Sequence, residues 1–209
     1  MEVAVYNKEG KDTGRKVKLA PEVFGVEAND HVIYLDVKQY LANQRQGTHK
    51  SKQRAEIVGS TKKIKKQKGT GGARAGDIKN PLFRGGGRIF GPEPRYYGFK
   101  LNKKVKTLAK KAVLSAQVKG NNLIVVEDLK LELPKTKEFA AMLNALNKEG
   151  KRVTLVLPEY DKNVYLSSRN VQKVKVLTTN DINTYDLMNC GKLILAESSV
   201  SSIVNALSN

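Results

Sequence analysis

Residues 45–100 constrain the fold of this chain more than any other segment, because they cannot build a core of their own. The segment holds 15 Lys and Arg, three acidic residues and 11 of the chain's 17 glycines. Its apolar residues follow neither a helical nor a strand period. Such a composition buries too little apolar surface to offset its ordering entropy. We therefore expect an extended basic arm, called the arm below, that is disordered or is ordered by a highly anionic partner.

The two segments outside the arm, residues 1–44 and 101–209, carry the pattern of one globular α/β body. Short, nearly continuous apolar runs indicate buried strands, and apolar residues at helical spacing indicate helices between them. Strands that alternate with helices require crossover connections and a mostly parallel sheet. We predict a three-layer α/β domain with a mostly parallel sheet, plus a long basic extended loop inserted between two helices.

The predicted elements can be placed along the chain. Strands are predicted at 2–6, 15–19, 123–126, 153–157, 174–177 and 193–196. Helices are predicted from Asn29 or Asp30 to about 44, from Asn102 to Gly120, at 137–148, at 160–168 and from Ser198 or Ser199 onward, with at most two turns in 181–190. In the helix after Asn102, the predicted apolar stripe is Val105, Leu108, Ala109, Ala112 and Ala116.

Composition narrows the function classes. The net charge is +18 and the pI is near 9.9, which is typical of proteins that bind nucleic acid or an anionic surface. No apolar run approaches the roughly 18 residues of a membrane span. Cys190 is the single cysteine and His31 and His49 are the only histidines, so we expect neither a disulfide nor a metal site. The N-terminal residues read as a strand and turn, so we expect a mature cytoplasmic protein.

An enzyme is the first alternative, because α/β sheets often bind nucleotides. The turns that follow the predicted strands are not rich in glycine, and none matches a phosphate-binding loop. Glu127 and Asp128, at a strand end, are a possible acid/base pair, but no partner group is visible and a structural role is favoured. We therefore predict no catalytic residues and no cofactor.

The arm itself points to nucleic acid. It is internal, and ten large apolar or aromatic residues interleave with its cations. Cations supply affinity through counterion release, while Arg and aromatic rings stack on unpaired bases. Its glycines permit a close approach of backbone to a phosphate or base. Composition alone leaves RNA and DNA as open alternatives.

Several linked motifs in the arm and just after it occur in the order and spacing of one family. They are RQGT (45–48), RAE (54–56), QKGTG (67–71), AR (73–74), GGG (85–87), FGP (90–92), PR (94–95), NKK (102–104) and PKTK (134–137). On these motifs the chain resembles the bacterial ribosomal protein L four family of the large subunit, over essentially its whole length.

The resemblance implies a structural protein of the cytoplasmic bacterial ribosome, without enzymatic activity. The implied partners are large-subunit rRNA, neighbouring ribosomal proteins including protein L twenty-two, and the nascent peptide, whose exit tunnel the end of the arm lines. No membrane partner and no homo-oligomer are expected. The alternative is a free RNA- or DNA-binding regulator, which includes repression of its own ribosomal-protein operon.

The resemblance and the charge pattern together assign two groups of residues. The predicted rRNA-binding residues are Arg45, Thr48, His49, Lys50, Lys52, Arg54, Arg74, Lys79, Arg84, Arg88, Arg95, Lys100, Lys103 and Lys104. The predicted tip of the arm, in the tunnel, is Lys62, Lys63, Ile64, Lys65, Lys66, Gln67, Lys68 and Gly69. This chain departs from the family at Ile64-Lys65, where many relatives have Pro-Trp.

Overall fold

The computed structural model describes residues 1–147 and 149–208. Its strands are β1 (Glu2–Tyr6), β2 (Asp12–Lys18), β3 (Leu123–Val126), β4 (Val153–Leu157), β5 (Val174–Thr178) and β6 (Lys192–Ala196). Its helices are α1 (Pro21–Phe24), α2 (Asp30–Asn43), α3 (Lys103–Lys119), α4 (Thr136–Leu146), α5 (Lys162–Ser168), α6 (Thr184–Asn189) and α7 (Glu197–Ser208). No helix in the described part of the chain combines the length and apolar character needed to cross a membrane.

The strands described form one mixed sheet, in the order β2-β1-β3-β6-β4-β5. β1 and β2 pair antiparallel as a hairpin, and every other neighbouring pair is parallel. The predicted α/β class with a mostly parallel sheet is therefore confirmed. β2 begins earlier than predicted, at Asp12, because Thr13 and Gly14 give this exposed strand no apolar alternation to read.

Helices cover both faces of the sheet, which makes three layers. In β6, Leu193 and Leu195 pack into a core with residues of α1, α2, α3, α6 and α7. Ile194 and Ala196 point to the opposite side and join a second core with α4 and α5. Successive strand residues face opposite sides, so a run that is apolar at every position is what a doubly covered sheet requires.

Side-chain caps account for only some helix starts. The Asn29 carboxamide oxygen accepts from the backbone N–H groups of His31 and Val32, at 3.1 and 3.3 Å, as predicted for α2. Asn102, also predicted as a cap, makes no such hydrogen bond at the start of α3. α4 begins at Thr136, and Lys148, where its predicted end lies, is outside the described residues.

The predicted apolar stripe of α3 is partly wrong. Ala109 and Ala112 are buried, but Leu108 is 41% exposed and Ala116 is exposed. The buried face instead includes Val113 and Leu114. Apolar residues occur around most of this helix, so its own periodicity does not define one face and packing against α1 and α6 decides.

The chain divides into two compact units. One comprises Met1–Leu41 together with the residues from Lys100 onward, and contains the sheet and both cores. The other is Ala42–Phe99. Between the end of α2 and the start of α3, the second unit contains turns and irregular backbone but no helix or strand.

Candidate nucleic-acid interface

The two legs of the arm run antiparallel and are joined by backbone hydrogen bonds. The donors and acceptors are Arg95 N to Gly47 O (3.2 Å), Ser51 N to Pro92 O (3.0 Å), Arg88 N to Lys52 O (3.0 Å) and Ile64 N to Gly76 O (3.0 Å). The chain therefore reverses within residues 65–75, called the reversal segment below. The predicted tip, residues 62–69, comprises the last part of the outgoing leg and the first half of this segment.

Tyr97 organises the base of the arm. The guanidinium carbons of Arg45 and Arg95 lie 3.7 and 4.4 Å from the centroid of its ring. Its hydroxyl is hydrogen-bonded to His49 Nε2 at 2.6 Å. Gly47 packs against the same ring with φ of +68°, and a Cβ there would lie 3.2 Å from two ring carbons. Three predicted rRNA-binding residues thus share one internal tyrosine, which orients them before any ligand arrives.

An ion pair joins the legs in the middle of the arm. Arg54 on the outgoing leg donates to Asp77 Oδ2 on the returning leg at 3.0 Å. Asp77 is the one buried charged residue of the described arm, at 9% exposure. A pair of this kind fixes the register of two irregular segments, because a buried carboxylate is costly without a cationic partner.

The triple glycine at 85–87 packs tightly on the arm's own backbone, with Gly86 against Asn80 of the same leg and Gly87 against the outgoing leg. A Cβ on Gly86 would lie 2.7 Å from the carbonyl carbon of Asn80, and one on Gly87 would lie 2.9 Å from the carbonyl carbon of Gln53. Real Cβ contacts of this kind are essentially never shorter than 3.0 Å. From the sequence, the arm's glycines are predicted to let backbone approach a phosphate or base. At Gly86 and Gly87 the space is taken by the arm's own backbone.

Almost all the predicted interface residues are exposed. Lys79 is half-buried, and the remaining predicted rRNA-binding residues and the whole predicted tip are exposed. Lys50 pairs with Glu56, whose carboxylate raises the pKa of Lys50. Across the described residues, Lys50 and Arg54 are the only two of the arm's 15 basic residues that form an ion pair. The arm therefore presents a large excess of unneutralised positive charge.

The arm also exposes large apolar side chains beside these cations. Phe90 is 97% exposed and Tyr96 is 83% exposed. Val58, Leu82 and Ile89 are also exposed. A basic surface interleaved with exposed rings is suited to bind unpaired nucleotides. The cations pair with phosphates, and the bases stack on the rings.

The strand-end carboxylates have structural partners. Glu127 pairs with Arg15 at 2.6 Å, and Arg15 also reaches Glu197 at 3.2 Å. Asp128 accepts a hydrogen bond from the backbone N–H of Ser198 at 3.1 Å, close to the start of α7. These contacts agree with the structural role favoured above over an acid/base pair.

The single cysteine and the possible metal ligands were the other candidate chemical groups. Cys190 is buried, and burial raises the pKa of its thiol, which disfavours the nucleophilic thiolate. Within the residues described, no group of three or more His, Cys, Asp or Glu side chains is placed to hold a metal ion.

Comparison with known proteins adds a family to this geometry. The Ribosomal protein L4/L1 family matches residues 17–206. The chain is 58% identical over 207 residues to the large ribosomal subunit protein uL4 of Bacteroides thetaiotaomicron, covering 99% of this chain and 100% of that protein. It is 57% identical over 208 residues to the protein of the same name from Flavobacterium johnsoniae, covering all of both chains.

These matches place the chain in the class of structural ribosomal proteins, which are not enzymes. Within that class, the chain belongs to the ribosomal protein L4/L1 family. The resemblance read from the motifs is thereby confirmed.

Sequence reasoning missed three features of the arm. It did not single out Asp77, Tyr97 or the contact between Gly86 and Asn80. The first two are joined to residues 23 and 48 positions away, and no local pattern encodes such pairings. The one available signal was that Asp77 is among only three acidic residues in a strongly basic segment.

Proposed function

We propose that this chain is a structural component of the large ribosomal subunit and that its arm binds the large-subunit rRNA. The observation that carries the proposal is the charge of the described arm, in which only two of 15 basic residues are paired with a carboxylate. A folded chain rarely exposes so many cations without an anionic partner. RNA phosphates are such a partner, and the released counterions supply the affinity.

The exposed rings favour RNA over duplex DNA. Phe90 and Tyr96 can stack on bases only where those bases are unpaired, and structured RNA offers such bases in loops and bulges. A regular DNA duplex keeps its bases stacked inside. The family name supports the same choice, because a ribosomal protein assembles with RNA.

We further propose that the end of the arm lines the nascent-peptide exit tunnel, beside the arm of protein L twenty-two. The family resemblance implies this location. The paired legs support it, since residues 47–64 at full extension span at most about 60 Å, enough to reach far into a large RNA. The tip carries five exposed lysines, which are strongly hydrated and suit a water-filled passage between phosphates.

The relatives named above are bacterial, so we place the chain in the cytoplasmic ribosome of a bacterium. There it supports subunit assembly and translation, in contact with rRNA, neighbouring ribosomal proteins and the passing peptide. The competing proposal is a free RNA- or DNA-binding regulator, which includes repression of its own ribosomal-protein operon.

Sedimentation separates these two functions. A tagged copy of the chain, expressed in cells, is expected to migrate with large subunits at a stoichiometry of one, and to stay there after a wash in high salt. A protein with a separate nucleic-acid-binding role would be stripped by the wash and recovered at the top of the gradient. That result would contradict the proposed structural role.

A further inference from the structure

The arm contains a cleft that its electrostatic role does not explain. A cavity of about 850 Å³ opens between the outgoing and returning legs, with Arg54, Asp77, Lys79, Pro81, Arg88 and Ile89 among its lining residues. Its volume lies in the range of small-molecule sites. We call it the arm cleft.

One oxygen of Asp77 lacks a partner in this cleft. Oδ2 accepts from Arg54 at 3.0 Å, whereas Oδ1 is buried and has no hydrogen-bond donor among the described residues. A buried acceptor without a donor is unfavourable, and an ionised carboxylate has room for further hydrogen bonds. Asp77 Oδ1 therefore has capacity for one more donor from outside the described residues.

The other walls of the cleft fit the rest of a nucleotide. Lys79 and Arg88 form no ion pair within the described chain, so both are available to a phosphate. Ile89 is 63% exposed and, with Pro81, gives the cleft an apolar side on which a base can lie. Gln53 and Arg54, which also line the cleft, are held in place because Gly87 packs directly on their backbone.

We propose that the arm cleft binds one unpaired RNA nucleotide whose base carries an amino group, and that this amino group donates a hydrogen bond to Asp77 Oδ1. Adenine, cytosine and guanine carry such a group. Uracil does not, and its one base-edge donor, N3–H, lies between two carbonyl oxygens that a carboxylate repels. Arg88 and Lys79 hold the adjoining phosphate. The inference rests on the proposed rRNA binding and adds a base-reading residue to it.

A carboxylate is a poor choice for affinity alone, because it repels phosphates. Oδ1 is covered in the free chain, so the base reaches it when a lining side chain turns aside. Asp77 therefore contributes discrimination between bases, and the surrounding cations contribute the affinity. Removing the Asp77 carboxylate is therefore expected to lower the preference between bases without lowering the overall affinity for RNA.

The test measures binding of single-stranded RNA octamers, of cytidine or of uridine, to the full chain by fluorescence anisotropy. Wild type is expected to bind the cytidine octamer several-fold more tightly than the uridine octamer. Asp77→Leu replaces both carboxylate oxygens by methyl groups in the same branched arrangement, which removes the acceptor, and is expected to abolish this preference. Its affinity for the uridine octamer is expected to be unchanged or higher, because a negative charge has been lost.

Two variants separate base reading from a structural effect. Glu93→Leu removes another carboxylate of the returning leg, one that is exposed and bonded to Gln53, and is expected to raise both affinities with the preference intact. Arg54→Lys alters the same ion pair but keeps Asp77 and a cation beside it, and is expected to lower both affinities modestly with the preference retained. Loss of the preference in Arg54→Lys would show that the ion pair only holds the legs, and would overturn the inference.

Equal wild-type affinity for the two octamers, or a preference that survives in Asp77→Leu, would also overturn it. Binding of a large-subunit rRNA fragment is measured in parallel. If the fragment binds while the octamer preference is absent, the base-reading role fails and the proposed rRNA binding stands. If the fragment itself does not bind, the proposed function fails.

Discussion

At the scale of single residues, glycine has two different roles in the arm. Gly86 and Gly87 sit where a Cβ would collide with backbone, and backbone cannot rotate away as a side chain can. Gly72 is also in the arm, but a Cβ there would meet the end of Lys65 at 3.5 Å and the carbonyl oxygen of Thr70 at 3.9 Å, both ordinary contacts. The two kinds of position therefore predict different responses to the same small substitution.

Gly86→Ala is expected to lower the affinity of the chain for large-subunit rRNA by about tenfold or more, because the turns between Asn80 and Gly86 within the returning leg must open to make room for the Cβ. Gly72→Ala is the matched control and is expected to leave the affinity within about twofold. Both variants should unfold at the wild-type temperature by circular dichroism, since the cores lie outside the arm. Equal affinities for the two variants would contradict the close-packing role of Gly86.

The same residues show what a sequence can convey about a site. The excess of cations between 45 and 100 is visible without a structure, and so is the presence of aromatic residues among them. Which cations are already used is not visible. Arg45 and Arg95 lie on Tyr97, and Arg54 faces Asp77, because the legs fold back on each other over tens of residues.

At the scale of secondary structure, the strands were the most predictable part. A buried parallel strand is apolar at every position, so runs such as 123–126 and 193–196 were placed with the bounds now observed, apart from one residue at the start of β6. The buried face of helix α3 was harder to predict. Its own apolar residues lie around most of the helix, so tertiary packing selects which of them are buried. Irregular segments carry no period at all, which is why the path of the arm could not be read.

The reversal segment is predicted to be the first part of the free chain to be cut by a protease. Residues 65–75 lie beyond the last backbone hydrogen bond between the described legs, Ile64 N to Gly76 O, and are mostly exposed. Brief trypsin treatment should cleave first at Lys65, Lys66, Lys68 or Arg74, with the cut sites identified by mass spectrometry. Saturating large-subunit rRNA should suppress these cuts, and primary cleavage within residues 101–147 would contradict the prediction.

The tip and the legs are predicted to respond differently to charge reversal. Lys68→Glu, at the tip, is expected to leave large subunits assembled while changing where ribosomes pause, because one anion shifts the tip without displacing the remaining cations. Arg88→Glu, on the returning leg, is expected to reduce large-subunit assembly. Sucrose gradients and ribosome profiling of the two strains measure both effects. Blocked assembly in Lys68→Glu beside a silent Arg88→Glu would show that the division is wrong.

At the scale of the whole molecule, packing and charge are assigned to different parts of the chain. The unit that contains the sheet holds two apolar cores, one on each side of the strands. The unit of residues 42–99 holds most of the chain's excess positive charge. Most of the large apolar side chains of this unit are exposed. Stability should therefore depend on the first unit and electrostatic binding on the second.

A deletion can separate these properties cleanly. Arg95 N donates to Gly47 O at 3.2 Å, so the two residues are adjacent and residues 48–94 can be replaced by a short glycine linker. The deletion removes 12 basic and three acidic residues. Because neither core contains any of the deleted residues, the shortened chain is expected to fold cooperatively, with a circular dichroism spectrum that keeps its helical and strand signals.

The central claim, that the arm is the main electrostatic anchor to rRNA, is tested most directly by the salt dependence of binding. The affinity for a large-subunit rRNA fragment is measured against salt concentration for the full chain and for the chain lacking residues 48–94. Each phosphate contact adds about 0.7–0.9 to the slope of log affinity against log salt, so the deletion is expected to reduce the slope by about 4 or more. A folded deletion variant that binds the fragment with an unchanged slope would contradict the claim.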